Sequence, residues 1–220
     1  MVQLMNIPGA NDAAIFAKLE FLTPGGSVKD RIGVGMIARA EELAKEIPNA
    51  YVPQQFVNPY NTESHYETTG PEIYEQMEGR IDAFVTGAGT GGTFTGVARF
   101  LRQRIPNVYC VIVEPQGSIL RGGEAGPHEV EGIGASSFIP PVLDMSLADE
   151  IIQIVDEPAF AMVKRLAAEE GILGASSAGA NVAASLQVAR RLGRGKQVVT
   201  LIPDAAERYI SKGIFSKWKS

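Results

Sequence analysis

A single cysteine, Cys110, stands in a chain of 220 residues, so no internal disulfide can form. Only His65 and His128 accompany it as soft ligands, too few for a zinc site of the usual kind. No run of about 18 apolar residues occurs, so no membrane-spanning helix is expected. The opening MVQLMNIPGAND has no basic region followed by an apolar one. No secretion signal is therefore expected, and the cytoplasm is the expected compartment. Basic residues form no long stripe, and the net charge is −5 with a sequence pI near 5.2. Such a chain is a poor nucleic-acid binder. Its one short basic cluster, Arg190, Arg191, Arg194 and Lys196, reads as a solvated helix end. Glycine is what the chain has in excess, 24 against one tryptophan. Backbone must turn tightly, or be approached closely, at many points.

Strand and helix patterns alternate along the chain. Apolar, strand-like runs fall at Ala14–Leu22, Tyr51–Phe56, Ala83–Thr86, Val108–Val113, Ile151–Val155 and Val198–Ile202. Helical patterns fall at Val28 to about Lys45, Thr93–Arg104, Pro158–Glu170 and Asn181–Leu192. Val57–Thr68 reads as a loop. Thr69-Gly70-Pro71-Glu72 then has the spacing of a capping box and opens a helix to about Met77. Pro158 near one helix start and Gly171 just past its end follow the usual asymmetry of helix termini. The alternation predicts an α/β fold with a mostly parallel sheet and ligands at the carboxyl ends of its strands. Cys110 lies inside a strand and reads as a small core residue.

Three segments lie where a strand gives way to a helix. In Gly87-Ala-Gly89-Thr90-Gly91-Gly92-Thr93, residues without side chains let several backbone N–H groups point at one anion. A phosphate is the natural occupant. The same residues also fit the G-x-G-x-x-G dinucleotide fingerprint, with Glu114 placed to read a ribose hydroxyl, and a turn needed only for packing is a third reading. In Thr23-Pro24-Gly25-Gly26-Ser27-Val28-Lys29-Asp30-Arg31, a lysine falls in the first turn of the expected helix. A cation is unfavourable there, and proximity to the positive end of the helix lowers an amine pKa, as Schiff-base chemistry requires. The alternative is a surface Lys-Asp-Arg cluster. In Gly174-Ala175-Ser176-Ser177-Ala178-Gly179-Ala180, neither serine satisfies G-x-S-x-G, so a hydroxyl serving a bound ring is the better use.

Together, PGGSVKDR (Pro24–Arg31), PQQFVNPYN (Pro53–Asn61), HYETTGPEIYEQ (His65–Gln76), GAGTGGT (Gly87–Thr93), EGIGAS (Glu131–Ser136), SSAG (Ser176–Gly179) and PDAAERYIS (Pro203–Ser211) resemble the cysteine synthase family. These are pyridoxal-phosphate enzymes whose fold type also holds cystathionine β-synthase and threonine dehydratase. The resemblance runs through nearly the whole chain in the family's order. It implies a tryptophan synthase β-like fold (PLP fold type II): a mostly parallel twisted sheet flanked by helices, with a smaller mobile subdomain. It further implies pyridoxal 5'-phosphate as cofactor and Lys29 as the lysine joined to it. Gly89, Thr90, Gly91, Gly92 and Thr93 match the phosphate cup, Ser177 the serine facing the pyridine nitrogen, and Gln55 a glutamine near the substrate carboxylate. Family members eliminate acetate from O-acetylserine and add sulfide to give cysteine; some relatives use homocysteine. They are usually homodimers. A chain that keeps the scaffold without the activity is a third possibility.

One departure is large. The family's S-G-N-T-G loop after the lysine helix has no counterpart. Gly33–Ile37 passes directly into Ala38–Tyr51, which resembles the return from the smaller subdomain. The expectation is one large cofactor domain over residues 1–220, a remnant of the subdomain around residues 34–50, and an absent segment of roughly 50–100 residues near Ile37. Either the molecule has those residues between the two helix halves, or they are deleted. The apolar surface a deletion would expose favours the first. The Cα spacing across Met36–Arg39 discriminates the two.

Overall fold

A computed structural model describes residues 1–22 and 55–216 of the chain. The expected helix at Val28–Lys45, the Met36–Arg39 junction, the remnant around residues 34–50 and most of the strand at Tyr51–Phe56 lie outside those residues. Of that strand, Gln55 and Phe56 are described, and they form a turn.

Among the described residues, six strands form one sheet in the order β1-β2-β6-β3-β4-β5. They are β1 (Val2–Leu4), β2 (Ala14–Leu19), β3 (Ala83–Gly87), β4 (Tyr109–Pro115), β5 (Glu150–Ile154) and β6 (Gln197–Ile202). Only β1 runs antiparallel to its neighbour, at the edge; the other pairings are parallel. The mostly parallel sheet is thus as expected, while the short edge strand β1 went unread.

The apolar runs follow from a sheet covered on both faces. Successive side chains alternate sides. Ala83 and Val85 of β3, Val111 and Val113 of β4, and Val198 of β6 enter one buried cluster. Phe84, Cys110, Ile112, Val199 and Leu201 enter the other. Helices α4 (Asp156–Glu170) and α5 (Ser176–Leu192) cover the first face, with Leu166, Ala180 and Val182 in its cluster. Helices α2 (Gly70–Gln76) and α3 (Gly92–Arg104) cover the second through Ile73, Phe94 and Leu101.

The Ala14–Leu22 strand stops at Leu19, and Glu20–Leu22 turn as a 3-10 helix. The expected loop is helical from Tyr60: α1 (Tyr60–Ser64) runs through a π-helical turn (His65–Thr69) into α2. Thr69 therefore lies inside a helix, with no capping hydrogen bond from its side chain. Glu72 instead meets Lys18 of β2 at 2.9 Å. Helix α5 starts five residues before the expected Asn181, so the serine pair falls in its first turn. Its end at Gly193 is as expected, as is the end of α4 at Gly171, which has φ of 69°.

Candidate active site

Parallel strands aim the residues that follow them at one edge of the sheet, and a cavity of 310 Å³ opens there. Thr86 and Gly87 reach it from β3, and Leu201 and Pro203 from β6 and just beyond it. One buried side chain holds these two strand ends together. Asn181 of α5 accepts the Gly87 N–H at 2.7 Å and donates to the Leu201 carbonyl at 2.9 Å. It is fully buried, so it supplies backbone groups that neither water nor the sheet ladder serves there.

The glycine-rich turn is built for close approach. Gly91 is the N-cap of α3 with φ of 91° and has no side chain to cap the helix, and the Gly92 N–H reaches Thr90 Oγ1 at 3.4 Å. A Cβ on Gly89 would lie 2.5 Å from the Gly132 carbonyl, and one on Gly92 would lie 2.0 Å from Asn61 Oδ1. The first N–H groups of a helix have no acceptor within it, and they carry the positive end of its dipole. Thr90 Oγ1 accepts from Asn61 Nδ2 at 2.9 Å, which leaves its own proton to donate. Asn61 Nδ2 also donates to the Gln55 carbonyl at 2.7 Å. Asn61 Oδ1 is buried with no hydrogen-bond partner among the described residues. A concave, backbone-lined cup with an orphaned polar atom beside it suits a phosphate-bearing ligand, and pyridoxal phosphate is such a ligand.

Of the residues chosen from the sequence, Gly89, Thr90, Gly91, Thr93 and Gln55 line this one cavity, and Gly92 opens α3 beside it. Ser177 is buried in the first turn of α5 and is not part of the cavity lining. Lys29 lies outside the described residues. Three further residues went unread: Asn61, Asn181 and His65. His65 is 1% exposed and lines the cavity. Its Nδ1 lies 2.8 Å from Thr69 Oγ1 and its Nε2 lies 3.1 Å from Thr93 Oγ1.

Other readings of single residues close here. Glu114 is fully buried and accepts the N–H groups of Leu120 and Arg121 at 3.0 and 3.2 Å, which corrects its reading as a ribose ligand. Ser176 Oγ accepts the Glu131 N–H at 3.0 Å, in the wall of a second cavity of 180 Å³. Tyr209 lines that cavity, and its phenol is pushed up to about 12 by burial and by its hydrogen bond to Asp204. Burial pushes the Cys110 thiol up to about 11, so it is an inert core residue. The basic cluster is exposed as expected, and Lys196 pairs with Asp82 at 2.9 Å. No helix among the described residues is long and apolar enough to cross a membrane.

The family model described as pyridoxal-phosphate dependent enzyme matches residues 35–204. A cysteine synthase of Helicobacter pylori (strain J99) is 48% identical over 182 residues, 83% of this chain, and the chain spans 59% of that relative's length. A cysteine synthase of Staphylococcus aureus (strain N315) is 36% identical, covering 98% of this chain and 94% of its own. That alignment runs over 291 positions although this chain has 220 residues, so part of the relative has no counterpart here. Among solved structures, an O-acetylserine-dependent cystathionine β-synthase from Helicobacter pylori superposes with a TM-score of 0.89 at 36% identity, covering 97% of this chain and 94% of that one. A hydrogen sulfide-producing enzyme from Fusobacterium nucleatum gives 0.88 at 31%, covering 94% and 95%.

Proposed function

The chain belongs to the family of pyridoxal-phosphate-dependent enzymes, and from that premise we propose that it catalyses β-replacement on O-acetylserine, with sulfide as acceptor, to give cysteine and acetate. The observation that carries this reading is the cup at residues 87–93, where a glycine turn, a helix N-terminus and two threonines face one cavity. The O-acetylserine dependence of the Helicobacter pylori neighbour supports the choice of donor.

Bound in this cup, pyridoxal phosphate supplies an electron sink for the α-carbon of an amino-acid substrate. The residues of the chain then divide the remaining work. Gly89, Thr90, Gly91, Gly92 and Thr93 hold the phosphate by backbone N–H and hydroxyl donors. Lys29 would hold the cofactor at its aldehyde group and would serve as the base that takes a proton from the substrate's α-carbon on Nζ. Ser177 offers a neutral hydroxyl to the pyridine nitrogen. Unlike a carboxylate, such a hydroxyl would not hold a proton on that nitrogen, which would favour loss of a β-substituent. Gln55 holds the substrate carboxylate. The chain works as one large cofactor domain with an unmatched segment near Ile37, as a cytoplasmic homodimer acting on small molecules.

Purified protein loaded with the cofactor tests this. It is expected to be yellow, to be trapped by borohydride with the label on Lys29, and to form cysteine from O-acetylserine and sulfide. Colour with label elsewhere removes Lys29 from its role. Turnover with homocysteine but not sulfide moves the reading to a cystathionine-forming enzyme. Cofactor-loaded protein that eliminates no acetate overturns the catalytic reading and leaves a binding scaffold.

A further inference from the structure

We infer that His65 is a positioning residue: it joins Thr69 to Thr93 in a proton-ordered relay that commits the Thr93 hydroxyl to an anion in the cavity. The inference rests on reading that cavity as the phosphate site of the cofactor, and it adds a residue the cup's sequence does not contain.

The geometry leaves few arrangements. Thr69 Oγ1 stands 2.8 Å from Nδ1 and Thr93 Oγ1 stands 3.1 Å from Nε2, so the ring bridges two hydroxyls on different helical segments. A neutral imidazole carries one N–H donor and one bare acceptor nitrogen. If Nε2 carries the proton, it donates to Thr93 Oγ1. The Thr93 proton is then free to point into the cavity that Thr93 lines. Nδ1 is then bare and accepts from the Thr69 hydroxyl. If Nδ1 carries the proton, every bond reverses. Thr93 then spends its proton on Nε2 and turns a lone pair toward the cavity, where it repels an anion. Binding of an anion therefore selects the Nε2-protonated ring, and the Thr69 hydroxyl, which can donate or accept, serves Nδ1 by donating to it.

The fold holds the relay rigidly. His65 opens the π-helical turn, a distortion that recurs at functional sites. Its Cβ packs so close to α3 that a Cβ on Gly96 would lie 2.7 Å from it. His65 and Thr69 are both buried, so water does not compete for these bonds.

Ring-nitrogen NMR on histidine-labelled protein reads the tautomer directly, and with two histidines in the chain a His128→Gln variant assigns the signals. With inorganic phosphate or pyridoxal phosphate bound, His65 is expected to be protonated at Nε2 and bare at Nδ1. Thr69→Val keeps the shape and removes the donor to Nδ1. Valine also removes the acceptor an Nδ1–H would need, so the free protein's ring is expected to shift toward the Nε2 proton, with phosphate binding retained. His65→Gln, which can still donate to Thr93, is expected to retain most of the affinity. His65→Phe leaves the Thr93 hydroxyl without its donor and is expected to bind phosphate more weakly, and adding Thr93→Val to it costs less than Thr93→Val costs the parent protein. Phosphate bound against an Nδ1-protonated ring overturns the relay, as does His65→Phe binding with unchanged affinity. The cofactor reading fails separately: if inorganic phosphate sets the tautomer while pyridoxal phosphate gives no visible band, the relay stands and the cofactor assignment falls.

Discussion

Asn181 shows how one residue serves fold and site together. Its amide closes a backbone donor at Gly87 and a backbone acceptor at Leu201, on two strands separated by more than a hundred residues of sequence. Replacing it by Leu keeps the volume and leaves both groups buried without partners, at a cost of about 3 kcal/mol. Urea denaturation is expected to show that loss, and visible absorbance a weaker hold on the cofactor, because the Gly87 end of the cup is released. A loss below ~0.5 kcal/mol would mean that water reaches both groups. Little in the sequence announces this residue. An asparagine in an alanine-rich helix is a poor helix former, yet only the strand ends above it explain its presence. The glycine turn, by contrast, was legible, because its requirement is local. Gly89 and Gly92 must lack side chains wherever a carbonyl or amide comes within van der Waals reach, and that demand is written in the residues themselves.

At the scale of elements, what the sequence disclosed follows the range of the forces involved. Strands β3, β4 and β6 were legible because both faces of the sheet are covered, which turns each strand into an unbroken apolar run. The stretch from Tyr60 to Thr69 was not. Asn61 and the preceding Asn58 and Pro59 favour a loop, the π turn breaks the 3.6-residue period, and packing against α3 overrides both. His65 and Asn61 were lost with that misreading. The start of α5 was missed for a related reason, since a small-residue helix turn and a glycine loop have the same composition. Elements are also tied by charge. Arg191 near the end of α5 donates to Glu150 at the start of β5 at 3.0 Å, and it holds that carboxyl below its ordinary value. A carboxyl lowered by folding stabilises the protein above the unfolded-state value and loses that contribution as pH falls through the folded-state one. Arg191→Met is therefore expected to cost about 0.5 kcal/mol at neutral pH, since the pair is largely exposed. The difference from the parent protein should close as pH drops below 4.5. A difference that persists unchanged at pH 3 would assign it to lost packing of the arginine stem.

For the whole molecule, the missing counterpart of the relatives' segment sets the strongest expectation. Phe56 lines the cavity and meets Phe138 edge to face at 5.7 Å. Around them Phe138 is 50% exposed, Ile139 44% and Val57 54%. Contiguous apolar surface at a cavity mouth is usually covered by something. In the proposed reading the cup at residues 87–93 holds the phosphate, and the groups expected to grip the substrate carboxylate are reduced to Gln55, because the family's asparagine-containing loop has no counterpart in the 220-residue sequence. Cofactor binding and turnover should therefore separate in this chain, the first surviving with the cup and the second suffering with the lost loop. Inserting at Ile37 the stretch of the Staphylococcus aureus relative that has no counterpart here is expected to raise cysteine formation by at least tenfold, equivalent to about 1.4 kcal/mol of barrier. It should also lower binding of an apolar fluorescent dye. Cofactor affinity, set by the cup, should change little. If the 220-residue chain already turns over as fast as the insertion variant, residues already present supply the carboxylate grip. The exposed aromatic patch would then be a surface with some other use.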